Sequence, residues 1–122
     1  MAVITSTATG NFNATTTWAG GVLPHDDNDD VVVASGHTVT FTDNDECKSL
    51  TINSGGTVNL AGYTLQLNGK HSNDRVVDLT GTFTHNSGTL DVRTAALCQC
   101  RNAGDNELGS LVINHASCIV KM

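Results

Sequence analysis

The chain has 122 residues, of which 15% are charged and 4% aromatic, and its formal net charge at pH 7 is −6. This length suits one domain with a modest core. Six basic residues against twelve acidic ones leave no Lys/Arg stripe for phosphate contacts, which argues against nucleic acid as a partner. The sequence lacks the stretch of about 18 apolar residues typical of a membrane helix, so we expect no membrane partner.

The segment at positions 1–24 precedes the first alternating segment and contains two large aromatic side chains, Phe12 and Trp18. Gly20-Gly21 predicts a turn, and Pro24 closes the segment. The end of a stack of strands needs a cover over its apolar side chains and backbone edge. We therefore divide the chain into residues 1–24, a cap or an arm, and residues 25–122, the main domain. A cap would fold Phe12 and Trp18 over the first strands, and an arm would place them on a neighbouring subunit.

An eleven-residue phrase recurs along the chain. Residues 31–41, VVVASGHTVTF, align without a gap on residues 50–60, LTINSGGTVNL, and more loosely on residues 111–121, LVINHASCIVK. The spacing between Thr57 and Thr64 also returns further along the chain, between Thr82 and Thr89. A period of about 20 residues indicates structural units that bury their apolar faces against their neighbours.

Each short segment alternates apolar and polar residues, as a strand with one buried face does. Glycine-containing turns separate the segments, for example Ser35-Gly36, Ala61-Gly62 and Asn86-Ser87-Gly88. The pattern predicts an all-β fold, a short right-handed parallel β-helix, with a β-sandwich as the fallback. The residues predicted to point inward are Val31, Val33, Val39, Phe41, Leu50, Ile52, Val58, Leu60, Leu65, Leu67, Phe83, Leu90 and Val92.

The alternation fails from Arg93 to Glu107, where we expect a helical or irregular excursion. The last residues form a strand of the repeat, and no polar helix follows this strand. We therefore expect the C-terminal strand to be buried against a partner. With the two aromatic residues of the first segment, this gives the predicted interface residues Phe12, Trp18, Ile119, Val120 and Met122.

Two features leave a binding role open. The acidic run from Asp26 to Asp30 lacks the glycine and terminal glutamate of an EF-hand loop, so it is read as a solvated loop, with calcium as the alternative. Cys47, Cys98, Cys100 and Cys118 form no zinc-site spacing. They are read as reduced structural thiols, with a disulfide and a metal as alternatives.

The sequence offers little chemistry for catalysis. A polysaccharide-cutting β-helix needs convergent carboxylates, and the candidates are Asp78 and Asp91 on strands, provided that both point outward, with Arg75 and Arg93 near in sequence. The histidines are scattered, with His37, His85 and His115 in or beside turns. No phosphate-binding loop or catalytic triad signature is present. We therefore expect no enzymatic activity, no cofactor and no metal.

The opening of the chain resembles the β-solenoid modules of phage virion proteins and large bacterial surface proteins. The resemblance rests on Trp18-Ala-Gly-Gly-Val-Leu-Pro24, Asn28-Asp-Asp-Val-Val-Val33, Ser35-Gly-His-Thr-Val-Thr40 and Ser49-Leu-Thr-Ile-Asn-Ser-Gly-Gly-Thr-Val58. It covers a little more than the first half of the chain. The bacterial surface proteins carry signal peptides and are far longer. The short length of this chain therefore favours a resemblance to the phage virion proteins. The resemblance supplies no catalytic residue.

These observations predict a non-enzymatic structural protein of a phage particle, either a capsid decoration protein or a small fibre or spike component. It would be made in the host cytoplasm, end in the virion, and contact coat or tail proteins. We expect a homo-oligomer and favour a trimer, because short solenoids gain stability by packing their flanks together. The rival hypothesis is a carbohydrate-binding or carbohydrate-degrading module of a larger surface protein.

Overall fold

The computed structural model describes residues 2–24, 29–69, 75–93, 98–101, 110–113 and 118–121. Within these ranges the chain forms fourteen strands and two 3-10 turns, Thr15–Thr17 and Ala19–Gly21. The described residues include no helix that could cross a bilayer. The strands are β1 (Ala2–Thr5), β2 (Gly10–Asn11), β3 (Asp29–Val33), β4 (Thr38–Thr40), β5 (Asp45–Cys47), β6 (Ser49–Ile52), β7 (Thr57–Asn59), β8 (Thr64–Leu67), β9 (Arg75–Leu79), β10 (Thr82–Thr84), β11 (Thr89–Val92), β12 (Cys98–Arg101), β13 (Ser110–Ile113) and β14 (Cys118–Lys121).

The strands form three sheets, and in each sheet a strand pairs with strands from earlier and later parts of the chain. Sheet 1 has the order β1-β3-β6-β9-β12-β14, sheet 2 the order β2-β4-β7-β10, and sheet 3 the order β5-β8-β11-β13. From β3 to β11 the chain visits sheets 1, 2 and 3 in turn. Every described strand pair is parallel. The all-β class is confirmed, and the antiparallel hairpins of a sandwich do not occur among these pairs.

Equivalent apolar residues of successive strands lie opposite one another. In sheet 1, Leu50 pairs with Val31 on one side and Val77 on the other. In sheet 2, Val58 lies between Val39 and Phe83. All thirteen positions predicted to point inward are buried, which confirms that prediction. The buried aliphatic rows form one continuous core.

The turns between sheets depend on residues with a positive φ. Gly36 and Gly55 have φ values of 84° and 87°, in the left-handed region that glycine enters without steric cost. The turn at residues 86–88 differs from the prediction, because the positive φ values fall on Asn86 and Ser87. Gly88 is needed for a close approach instead, since an added Cβ would lie 2.6 Å from the carbonyl oxygen of Tyr63.

Three sequence expectations differ from the structure. Residues 2–24 contribute β1 and β2 to sheets 1 and 2, although no strand was predicted there. The expected excursion at residues 93–107 contains β12, whose four residues are too few for a periodicity test. The loose third repeat is also in the wrong register, because Leu111 pairs with Leu90 in sheet 3 and does not join Val31 and Leu50 in sheet 1.

Candidate functional site

The two aromatic residues of the predicted interface are buried within their own chain. Phe12 stacks on Phe41 with a ring-centroid distance of 4.4 Å, and Trp18 meets Phe12 edge to face at 5.5 Å. The indole Nε1 of Trp18 donates a 2.8 Å hydrogen bond to the Phe12 carbonyl oxygen, so the buried ring has its polar group satisfied. A partner would reach these rings only if the segment opened, and their interface role stays a prediction.

Main-chain hydrogen bonds attach the first segment, residues 2–24, to β3 and β4. The Phe12 amide donates to Thr40 O at 2.9 Å, and the Ser6 amide donates to Val32 O at 2.9 Å. The Ser6 hydroxyl accepts a hydrogen bond from the Ala34 amide at 2.9 Å and shares another with Nδ1 of His37 at 2.9 Å. Because Ser6 is only 3% exposed, these contacts tie the segment to the turn after β3.

Ser6→Ala is expected to lower the free energy of unfolding by about 1 to 3 kcal/mol, because the Ala34 amide loses its acceptor. Urea denaturation measures the change. Ser35→Ala, at an exposed position in the neighbouring turn, should stay within about 0.5 kcal/mol of the wild type. Equal effects at the two serines would contradict this role for the Ser6 hydroxyl.

The C-terminal members of the predicted interface belong to sheet 1. In β14, Ile119 pairs with Gln99 and Val120 with Cys100 of β12. The sheet order places β14 at the far edge of sheet 1 among the described strands. Met122 lies outside the described residues. The backbone thus supplies a strand edge at this position, and the contacts of a partner there remain a prediction.

The acidic run before the first repeat is only partly described, since Asp26 and Asp27 lie outside the described residues. Asp30 begins the buried part of β3 and is 4% exposed. Its Oδ1 accepts a hydrogen bond from the Ser49 hydroxyl, and its Oδ2 lies 3.7 Å from Nζ of Lys48. No group of three metal-ligating side chains occurs among the described residues. Asp30 therefore joins β3 to β6.

The outward orientation that a catalytic role for Asp78 and Asp91 would need is not observed. Asp78 is 6% exposed and Asp91 is 8% exposed. Asp78 lies on β9, where the neighbouring Val76 and Val77 are both buried, so neither face of this strand is open. The two carboxylates belong to different sheets, and Oδ2 of Asp91 accepts a 2.8 Å hydrogen bond from Nε of Arg93. The sequence offered no sign that both faces of β9 are covered.

A shallow groove opens where sheet 3 begins. It is lined by Asn44, Asp45, Glu46 and Gln66 and has a volume of about 320 Å³. Gln66 Nε2 donates to Glu46 Oε2 at 3.1 Å, and Asn68 Nδ2 donates to the same oxygen at 3.2 Å. This polar network has no local signature in the sequence, because Glu46 lies 20 residues before Gln66 and 22 residues before Asn68.

Cys47 is the cysteine whose side chain the structure describes, and it is a free, buried thiol. Burial raises the pKa of the Cys47 thiol well above its usual range, and the charge of Asp45 raises it further. Its Sγ contacts Ser49 O at 3.4 Å. This environment keeps the thiol protonated and suits the predicted structural role.

The outer face of sheet 2 carries two rows of small polar side chains that the sequence analysis did not select as a site. Thr38, Thr57 and Thr82 are register partners in the first row. Thr40, Asn59 and Thr84 form the second row, and Asn11 pairs beside Thr40. The sequence signal was available: Thr-x-Thr or Thr-x-Asn begins at each of the positions 38, 57 and 82.

Comparison of the chain with known families, curated proteins and solved structures gives no match.

Proposed function

We propose that the chain is a non-enzymatic structural protein of a phage particle, a capsid decoration protein or a small fibre or spike component. In this proposal the three parallel sheets are the faces of a short right-handed β-helix, and residues 1–24 close its first coil. The protein acts as a stiff unit that docks on coat or tail subunits. The copy number of three expected from the sequence stays a prediction.

The observation that carries the proposal is the stacking of buried apolar rows between the strands whose side chains are described. Val33, Ile52 and Leu79 form one such row in sheet 1, and all three are fully buried. Parallel ladders with aliphatic interiors bury each strand against its neighbours, which supports a stiff element in the part of the chain that the structure describes. Such rigidity serves mechanical attachment to a particle, and the sequence resemblance to virion β-solenoid modules supports the same function.

The first segment also exposes apolar surface. Val3 on β1 is 57% exposed, and Val22 after the second 3-10 turn is 53% exposed. Among the described residues, Tyr63 is the one other large apolar residue that is exposed. An apolar contact at Val3 or Val22 would let the segment dock while Phe12 and Trp18 remain in the core.

A co-sedimentation experiment with purified particles of the phage that encodes the chain tests the proposal. The wild-type chain should pellet with the particles in a saturable manner. Val22→Asp should weaken this binding if the first segment docks, whereas Thr80→Asp, an exposed position beyond β9, should bind like the wild type. The absence of wild-type binding to particles that lack the chain would contradict the proposal.

One observation favours the carbohydrate hypothesis. The groove at Asn44, Asp45, Glu46 and Gln66 presents amides and carboxylates, which suit sugar hydroxyls. The exposed Tyr63 directly precedes Thr64, whose amide donates a 2.9 Å hydrogen bond to Oδ1 of Asn44. This hypothesis predicts that the isolated chain binds or cleaves a glycan and ignores particles. A glycan array probed with the wild type and with Gln66→Ala distinguishes the two functions.

A further inference from the structure

The outer face of sheet 2 differs in charge from the rest of the chain. Its strands β2, β4, β7 and β10 contain no ionisable residue. Described strands of the other two sheets do carry charge, for example Asp30 on β3, Glu46 on β5 and Asp91 on β11. The chain as a whole has a formal net charge of −6. Sheet 2 is therefore an uncharged face on an acidic protein.

Most polar side chains of this face have no hydrogen-bond partner among the described residues. In the part of the chain that the structure describes, the side chains of Thr38, Thr57 and Thr82 make no hydrogen bond, and the same holds for Thr40 and Thr84. Asn59 is the exception, because its Oδ1 accepts hydrogen bonds from the Ala61 amide and from Nδ2 of Asn86. The threonine hydroxyls, in two regular rows, can bond to water or to a partner.

We propose that the outer face of sheet 2 is a self-association surface, and that its occupant is sheet 2 of a second copy of this chain. Two copies that each carry a net charge of −6 repel one another over most approaches. Packing through sheet 2 brings no carboxylate of the described strands into the contact. Regular rows of threonine can interdigitate when two sheets pack face to face about 10 Å apart.

The size of the face predicts weak association. Four strands spaced about 4.8 Å apart, with about 3.3 Å per residue along each strand, cover roughly 200 Å² before the turns are counted. A stable interface buries about 800 Å² on each partner. The pair should therefore form reversibly, and attachment to a particle would favour it by raising the local concentration.

A single face that contacts itself generates a two-fold pair. The trimer expected from the sequence would require a second, different surface. This inference goes beyond the proposed function, because it concerns a contact between two copies of the chain and not the contact with a particle.

Sedimentation velocity on the purified full chain, up to the millimolar concentration range, tests the inference. The wild type should shift from monomer to dimer as its concentration rises, and added salt should strengthen the dimer by screening the like charges. Thr57→Glu, at the centre of the face, should leave a monomer. Thr82→Glu on β10 repeats the test at a more exposed position in case the first variant unfolds, and circular dichroism checks the fold of both.

Thr64→Glu is the matched control, because Thr64 begins β8 of sheet 3 as Thr57 begins β7 of sheet 2, and both are half-buried. It should dimerise like the wild type. A wild-type monomer at every concentration, a dimer that survives Thr57→Glu and Thr82→Glu, or equal dissociation by Thr64→Glu would each overturn the inference. Particle binding measured on the same samples separates the two proposals: a monomer that binds particles overturns only this inference, and a dimer that ignores them overturns only the proposed function.

Discussion

Ile52→Ala is expected to lower the free energy of unfolding by about 2 to 5 kcal/mol, the range for removing a buried aliphatic side chain and leaving a cavity. Ile52 is fully buried and lies between Val33 and Leu79 in sheet 1. Val33 and Leu79 are held by the strand pairing of sheet 1, so they cannot easily move into the cavity that the substitution leaves. Thermal unfolding should show a melting temperature lower by about 10 °C or more.

Val22→Ala provides the control for this variant. It also shortens an aliphatic side chain, but Val22 is 53% exposed and lies outside the ladders. Its effect should stay within about 0.5 kcal/mol. Similar small losses at both positions would show that the interior of the ladders is assigned to the wrong residues.

Gly81→Ala is expected to cost about 3 kcal/mol, the upper end of the usual range for overpacking, because its new methyl group meets backbone that cannot move alone. An added Cβ would collide with Asn53 O, lie 2.5 Å from Gly56 O, and lie 2.6 Å from Cγ2 of Ile52. These atoms belong to β6 and to the turn between β6 and β7. The turn between β6 and β7 must therefore shift, and this shift disturbs the buried side chains of sheets 1 and 2 on either side of it.

Urea denaturation of Gly81→Ala measures this cost, and Thr80→Ala is its neighbour control. Thr80 is exposed, and its amide hydrogen bond to Ile52 O survives the substitution. We expect its midpoint to match that of the wild type. A Gly81→Ala protein as stable as Thr80→Ala would mean that residue 81 does not lie as close to β6 and the following turn as described.

The regular part of the fold was predictable because its signal is local and repeated. The gap-free alignment of residues 31–41 on 50–60 is the observed register, with Val31 opposite Leu50 and Val39 opposite Val58. The second spacing is also observed, since Thr57 pairs with Thr82 and Thr64 with Thr89. Alternation fixes which face is buried, and a slip of one residue would reverse it.

The sequence failed where pairing depends on residues far apart or on strands that are too short. Nothing in Ala2 to Thr5 shows that this segment pairs with β3, because four residues contain no periodicity to test. The contact of Ser6 with His37 spans 31 residues and has no local signature. The alignment of residues 111–121 with the first two repeats was wrong for a related reason. A loose match of apolar residues fits a strand of either sheet equally well, and the structure places Leu111 in sheet 3.

The candidate interface was harder to predict than the fold. Aromatic residues near an end suggest either a cap or a contact, and the sequence alone left both open for Phe12 and Trp18. The threonine rows of sheet 2 were visible as a repeated motif. Their proposed role as a contact surface depends on the absence of charged residues from the strands of sheet 2. That absence becomes apparent only when each strand is assigned to its sheet.

Quantitative mass spectrometry of phage particles purified from a host that produces the chain tests the proposed virion function most directly. If the chain is a virion protein, its peptides should occur in intact, gradient-purified particles at a copy number in fixed proportion to the coat or tail subunits. Particles free of the chain, with the protein recovered instead from the host lysate or bound to a glycan, would contradict it.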